Sequence, residues 1–135
     1  MKAETPNQSS RRTVNANTDL RLRTKQFSLR ITRMFIALPK TDLARVLGKQ
    51  ALRSGTSVGA NYREAFRARS GPEFMSKTGD CLKELDETAY LLELLVESGI
   101  VPAARMTSLQ REANELLAIF TTIAKKTKNR MTTPS

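Results

Sequence analysis

From Phe74 to Leu95 the chain places Phe74, Thr78, Cys81, Leu85, Thr88, Leu92 and Leu95 in alternating steps of four and three. A helix turning every 3.6 residues brings such positions onto one seam, whereas a strand would scatter them over both faces. This is the spacing of a helix packed lengthwise against other helices, so the rest of the chain must supply helices to cover it. Leu82, Ala89 and Val96 form a second stripe at sevens, and Tyr90, Leu91, Leu92, Leu94, Leu95 and Val96 make the end of this helix apolar on nearly every side. A helix buried on one face does not need that. The pattern predicts cover both from the chain's own bundle and from another subunit; the alternative is the central helix of a monomer.

Three further helices can be read around it. Leu20, Phe27, Ile31, Met34 and Leu38 recur at sevens, fours and threes, which predicts a helix that starts at Thr18 or Asp19 and is ended by Pro39. Thr41 can cap a second helix, with Asp42 favourable in its first turn, running to about Arg69. Ser70-Gly71-Pro72 is a junction with Pro72 near the first position of the third helix. Ser98 to Pro102 is the next break. A fourth helix from about Ala103 to Lys126 carries Leu109, Ala113, Leu116, Phe120 and Ile123. Aromatic residues make up 5% of the chain and Trp is absent, so the core must be mainly aliphatic. The expected fold is all-α: an antiparallel up-down-up-down four-helix bundle over residues 18–127, with a disordered tail at 1–17 and a basic, polar tail at 128–135.

The second helix contains an anomaly. Within Leu52 to Ala65, Ser54, Gly55, Thr56, Ser57, Gly59 and Ala60 crowd together. Each Gly disfavours a helix interior by about 1 kcal/mol relative to Ala. Either the helix breaks here, or something approaches so closely that only small residues fit. At 100° per residue, Leu47, Ala51, Val58, Tyr62 and Ala65 fall on one apolar face. Arg45, Lys49, Arg53, Arg63 and Arg67 fall roughly opposite, within a sector of about 80° and over about 33 Å. Gln50, Ser57, Asn61 and Glu64 fill the flank. The periodicity runs unbroken through both glycines, which favours one continuous helix with a close-packed waist.

Composition removes several kinds of chemistry. There is no His, hence no Ser-His triad and none of the usual His-bearing zinc or di-iron sites. Cys81 is the single cysteine, expected as a buried apolar residue. Glu64, Glu84 and Glu87 could be imagined around a metal, but without His a hydrogen-bonded register network of Ser57, Asn61, Glu64, Glu84 and Glu87, with Lys77 or Lys83 as counter-charge, is the better reading. No cofactor is expected and no enzymatic activity. The longest uncharged runs, such as Leu116 to Ala124, are far shorter than the ~20 residues of a membrane span, and the polar start of the chain has no signal-peptide pattern. The expected location is cytoplasmic. The net charge of +10 is uneven: residues 71–101 carry seven acidic and two basic side chains, and residues 1–40, 41–70 and 102–135 are each net basic. That balance suits an anionic partner, or self-association through complementary charge.

Gln50 to Ala65 (Q-x-x-R-S-G-T-S-V-G-A-N-Y-R-E-A), Ser70 to Lys77 (S-G-P-E-F-x-x-K) and Lys83 to Leu95 (K-E-L-D-E-T-A-Y-L-L-E-L-L) together resemble the bacterial four helix bundle protein family. Its first members were reading frames inside intervening sequences of large-subunit ribosomal RNA genes. The chain is also similar to the accessory variability determinant proteins of diversity-generating retroelements. The resemblance covers roughly residues 24–127, with Ser57, Asn61 and Glu64 its most specific part. It implies a homopentameric ring of bundles, and relatives that work with a reverse transcriptase and bind nucleic acid through basic surface.

Two functional expectations follow. In the first, Arg45, Lys49, Arg53, Arg63 and Arg67, joined by Arg30, Arg33, Lys125, Lys126, Lys128 and Arg130, engage the phosphates of RNA or DNA. With few aromatic residues nearby, such binding is backbone-led and weak in sequence preference. In the second, the same charges serve contacts between subunits of a structural assembly.

Overall fold

The computed structural model describes residues 8–132, and the side chains of residues 20–130. Four helices follow one another: α1 (Gln8–Ala37), α2 (Asp42–Phe66), α3 (Gly71–Glu97) and α4 (Ala103–Thr132), with no strand among the described residues. Connections of four or five residues fold each helix back against the one before it, giving a four-helix bundle. The helices α2 and α3 share the most extensive interface, α1 covers the other side of α2, and α4 lies on α3; α1 and α4 meet least.

The boundaries have local causes. The Thr41 hydroxyl accepts from the Ala44 amide at 3.3 Å and Ser70 accepts from the Glu73 amide at 3.2 Å, each satisfying a first-turn donor. The carboxylate of Glu73 reaches back to the Arg69 amide. Between α3 and α4 the chain reverses through Gly99 at φ 79, a backbone conformation that other L-residues rarely adopt.

Both outer ends differ from expectation. α1 begins at Gln8 and α4 continues to Thr132, so helix extends past the expected limits at residues 18 and 127. The stretch Gln8 to Asn17 contains neither Gly nor Pro, and nothing in it stops a helix propagating back from the packed region. The remainder of the expected tails, residues 1–7 and 133–135, lies outside the described residues.

Most of the core is the one that the stripes predict, with Met34 and Ile123 only partly buried and Met106 added from outside them. Phe27, Ile31, Val58, Tyr62, Leu85, Leu92, Leu95, Met106, Leu116 and Phe120 are all buried. The Tyr62 ring meets Phe120 edge-on at 5.6 Å. On the α3 seam Thr78, Cys81, Leu85, Thr88, Leu92 and Leu95 are buried and Phe74 is partly so, while Leu82, Ala89 and Val96 are half-covered. Cys81 is free and buried; its thiol donates to the Val58 carbonyl at 3.6 Å, and burial pushes its pKa up to about 12.

The anomalous stretch is resolved as a close approach, for α2 runs unbroken from Asp42 to Phe66. Its small residues serve two neighbours. Toward α1, a Cβ added at Gly55 would lie 2.8 Å from Ile31 Cγ1, and one at Gly59 would lie 3.4 Å from the Thr24 carbonyl. The Ser28 hydroxyl meets the Gly55 carbonyl at 3.1 Å, tying the two backbones together where no side chain intervenes. Toward α3, Ser54 and Thr88 are both fully buried and share a hydrogen bond of 2.8 Å.

Candidate nucleic-acid interface

The packing of α2 decides what its remaining face can do. With one side against α1 and the adjoining side against α3, the outer arc carries Arg45, Lys49, Arg53, Arg63 and Arg67, all exposed. Four of them, Arg45, Lys49, Arg63 and Arg67, make no ion pair among the described residues. Arg53 does. Its Nη2 lies 2.6 Å from Glu87 Oε2 and its Nη1 lies 3.3 Å from Glu84 Oε2, both on α3. Hydrogen bonding to Glu87, then to Glu84, raises the Arg53 pKa. Two carboxylates thus offset the charge in the middle of the basic stripe, and the unpaired cations divide into a pair near the start of α2 and a pair near its end.

The expected single network of Ser57, Asn61, Glu64, Glu84 and Glu87 is not what forms. Ser57 donates to its own helix, at the Arg53 carbonyl 2.7 Å away. Glu64 is exposed and pairs with Lys77 at 3.3 Å. Glu84 and Glu87 are held by Arg53, and Asn61 is half-buried on the same flank. The reason is rotational: the flank points past α3 rather than into it, so only its edge reaches across. The buried polar contact is one position over, between Ser54 and Thr88. No group of three His, Cys, Asp or Glu able to hold a metal occurs among the described residues. No helix there is long and apolar enough to cross a membrane.

The other cations sort by the end of the bundle they occupy. Antiparallel packing puts Lys125, Lys126, Lys128 and Arg130, late in α4, at the same end as Arg63 and Arg67, late in α2. Arg30 and Arg33, late in α1, belong toward the opposite end, with Arg45. The expected basic surface is therefore two clusters. The end holding Arg63 has a contribution that the sequence reading missed. Arg21 and Lys25 of α1 face Arg63 across a cleft of about 560 Å³ whose floor includes Gly59 and Ala60. The Arg21 guanidinium lies over the exposed Phe66 ring at 4.4 Å, which holds it beside α2. The signal was present as the four-residue spacing of Arg21 and Lys25, which puts both on one side of α1.

Fold and surface together define a class: a small four-helix bundle protein whose outer α1–α2 face carries unpaired cations beside a waist of small residues. Comparison with known proteins narrows it. The family model of the 23S rRNA-intervening sequence proteins matches residues 17–122, and the chain belongs to that family. Among solved structures it is similar to a protein of unknown function from the S23 ribosomal protein family of Bacteroides thetaiotaomicron VPI-5482, at 34% identity and a TM-score of 0.75 over 81% of this chain and 97% of the other. The comparison with curated proteins gives no match.

Proposed function

We propose that this chain is a non-enzymatic accessory protein that binds RNA or DNA through its basic outer face, as an oligomer of ring type, in the setting of ribosomal RNA intervening sequences or beside a reverse transcriptase. The observation that carries the reading is the set of Arg45, Lys49, Arg63 and Arg67, exposed and without carboxylate partners among the described residues, extended onto α1 by Arg21 and Lys25. Exposed cations held apart along a helix match phosphates spaced along a strand, and each contact releases counterions. In a ring, preferably a homopentamer, each weak contact is multiplied by the copy number. The cytoplasm, where such partners reside, is the corresponding location.

A second reading, structural self-assembly without nucleic acid, is favoured by a different observation. Leu22, Leu29 and Ile36 stand at seven-residue intervals along α1 and are 55%, 43% and 69% exposed. A line of that kind suits a second helix. The two readings share the ring and differ in what the charges do.

Salt titration separates them. Fluorescence anisotropy with RNA and with duplex DNA should show affinity falling steeply as salt rises, and Arg63→Ala with Arg67→Ala should reduce the logarithmic salt slope by about two. No binding at low salt sinks the nucleic-acid reading. If those substitutions instead dissolve the oligomer in light scattering, the charges serve assembly.

A further inference from the structure

The seam between α1 and α4 changes character along its length. Midway along α1, Arg23 meets a carboxylate pair: Nε and Nη2 each lie 2.8 Å from an oxygen of Glu112, and Nη2 is 3.0 Å from Glu115. One register step further along α1, at Arg30, the α4 partner is only a hydroxyl, Ser108 Oγ at 2.8 Å. At the next step α4 brings not an acid but Arg105 into the same cleft as Arg33. Arg30, Arg33 and Arg105 thus line one cleft and have no ion-pair partner among the described residues. Three cations around one cleft without a carboxylate among them favour an anion there.

Beneath these groups the cleft is apolar. Its volume is about 480 Å³, and Met34, Leu38, Ile100, Val101, Met106 and Leu109 line it. That volume lies within the roughly 300–1,000 Å³ of small-molecule sites. Pro39 and Pro102, from the connections before α2 and before α4, also line it. Two of the lining residues are methionines, whose unbranched thioether side chains adapt to an irregular guest.

We infer that the cleft between the end of α1 and the start of α4 binds a small amphipathic anion, a fatty carboxylate, with its chain among Met34, Leu38, Met106 and Leu109 and its head group on Arg30, Arg33 and Arg105. Planar guanidinium groups suit a carboxylate because two parallel N–H donors meet its two oxygens. The site is separate from the outer face of α2 and does not depend on nucleic-acid binding.

Methionine methyl NMR on the full chain tests this, with decanoate as the probe. The Met34 and Met106 methyls should shift saturably as decanoate is added below its micelle concentration, while Met75, near the start of α3 at the far end of the bundle, stays in place. Arg33→Ala with Arg105→Ala should weaken decanoate at least about tenfold, the loss expected when charged hydrogen-bond donors are removed, and the shifts at saturation should remain. The Lys double variant, Arg33→Lys with Arg105→Lys, should recover only part of the affinity, since it restores the charge but not the paired donors. Equal binding of decanol or decyltrimethylammonium would overturn the assignment, since either would make the cleft a plain apolar surface. Movement of Met75 together with Met34 and Met106, or an unchanged affinity in the Ala variant, would do the same. Displacement of decanoate by RNA or by a peptide ending in two leucines, at lower concentration than decanoate itself requires, would reassign the cleft to that partner.

Discussion

Gly55→Ala is the sharpest test of the close-packed waist, because two opposed effects can be sized separately. In an exposed helix interior, Gly→Ala stabilises by roughly 0.5–1 kcal/mol. Gly79 supplies that reference: it lies within α3, is exposed, and a Cβ there would meet nothing within 4 Å. At Gly55 the added carbon would stand 2.8 Å, 2.9 Å and 3.1 Å from Ile31 Cγ1, Cγ2 and Cβ. These atoms are not the far end of a flexible chain. Ile31 is fully buried and branched at Cβ, so relief requires α1 and α2 to move apart. Overpacking of this kind destabilises by about 1–3 kcal/mol. After subtracting the helix-propensity gain, Gly55→Ala should be destabilised by ~1 kcal/mol while Gly79→Ala is stabilised by ~1 kcal/mol, a gap of about 2 kcal/mol. Urea denaturation at one fixed protein concentration measures both, since an oligomer's stability depends on concentration. The clash also has a named partner. In an Ile31→Ala background, itself destabilised by roughly 2–5 kcal/mol through its cavity, Gly55→Ala should become neutral or stabilising, a coupling of at least ~1 kcal/mol. Equal stabilisation by Gly55→Ala and Gly79→Ala, or no coupling to Ile31, would refute the claim that the glycine is there to admit α1.

Two further outcomes follow from the core. The Cys81 pKa is raised from 9.0 to about 12 by burial, so between those values the unfolded chain has lost a proton that the folded chain keeps; the Cys81 contribution to stability should be constant below about pH 9 and then fall by about 1.4 kcal/mol per unit, and Cys81→Ala should remove that part of the slope in alkaline urea titrations, leaving the share of Tyr62, whose pKa burial raises from 10.0 to about 12. Thr88→Val keeps the volume but deletes the hydroxyl that bonds Ser54, so it should destabilise by ~1 kcal/mol in the same assay, and Ser54→Ala in that background should recover part of the loss.

What the sequence made legible was what a single helix determines by itself. The angular position of each residue follows from 100° per residue, so the α3 seam, the apolar side of α2 and its basic arc could all be drawn before any neighbour was known. What it hid was what passes between helices. Whether Arg53 reaches α3 depends on how far α2 is rotated, and a few tens of degrees separate a solvated arginine from one held by Glu84 and Glu87. The same rotation put Ser54 rather than Ser57 opposite Thr88. The extra helical turns at both ends were hidden for another reason: their residues are polar, so no stripe marks them even though nothing forbids the helix.

The waist and the candidate interface are physically one feature. Gly55 and Gly59 admit α1 until its backbone lies against α2, with the Ser28 hydroxyl on the Gly55 carbonyl. That approach carries Arg21 and Lys25 toward Arg63, gathering three cations around a cleft floored by Gly59 and Ala60. With large residues at the waist the helices would stand further apart and each cation would keep its own shell of water. Set around one cleft, the three cations suit an anion placed among them. The same residues that admit α1 to α2 therefore also gather positive charge on this face. Under the proposed nucleic-acid role, a phosphate would sit at a place on α2 where two helices contribute cations.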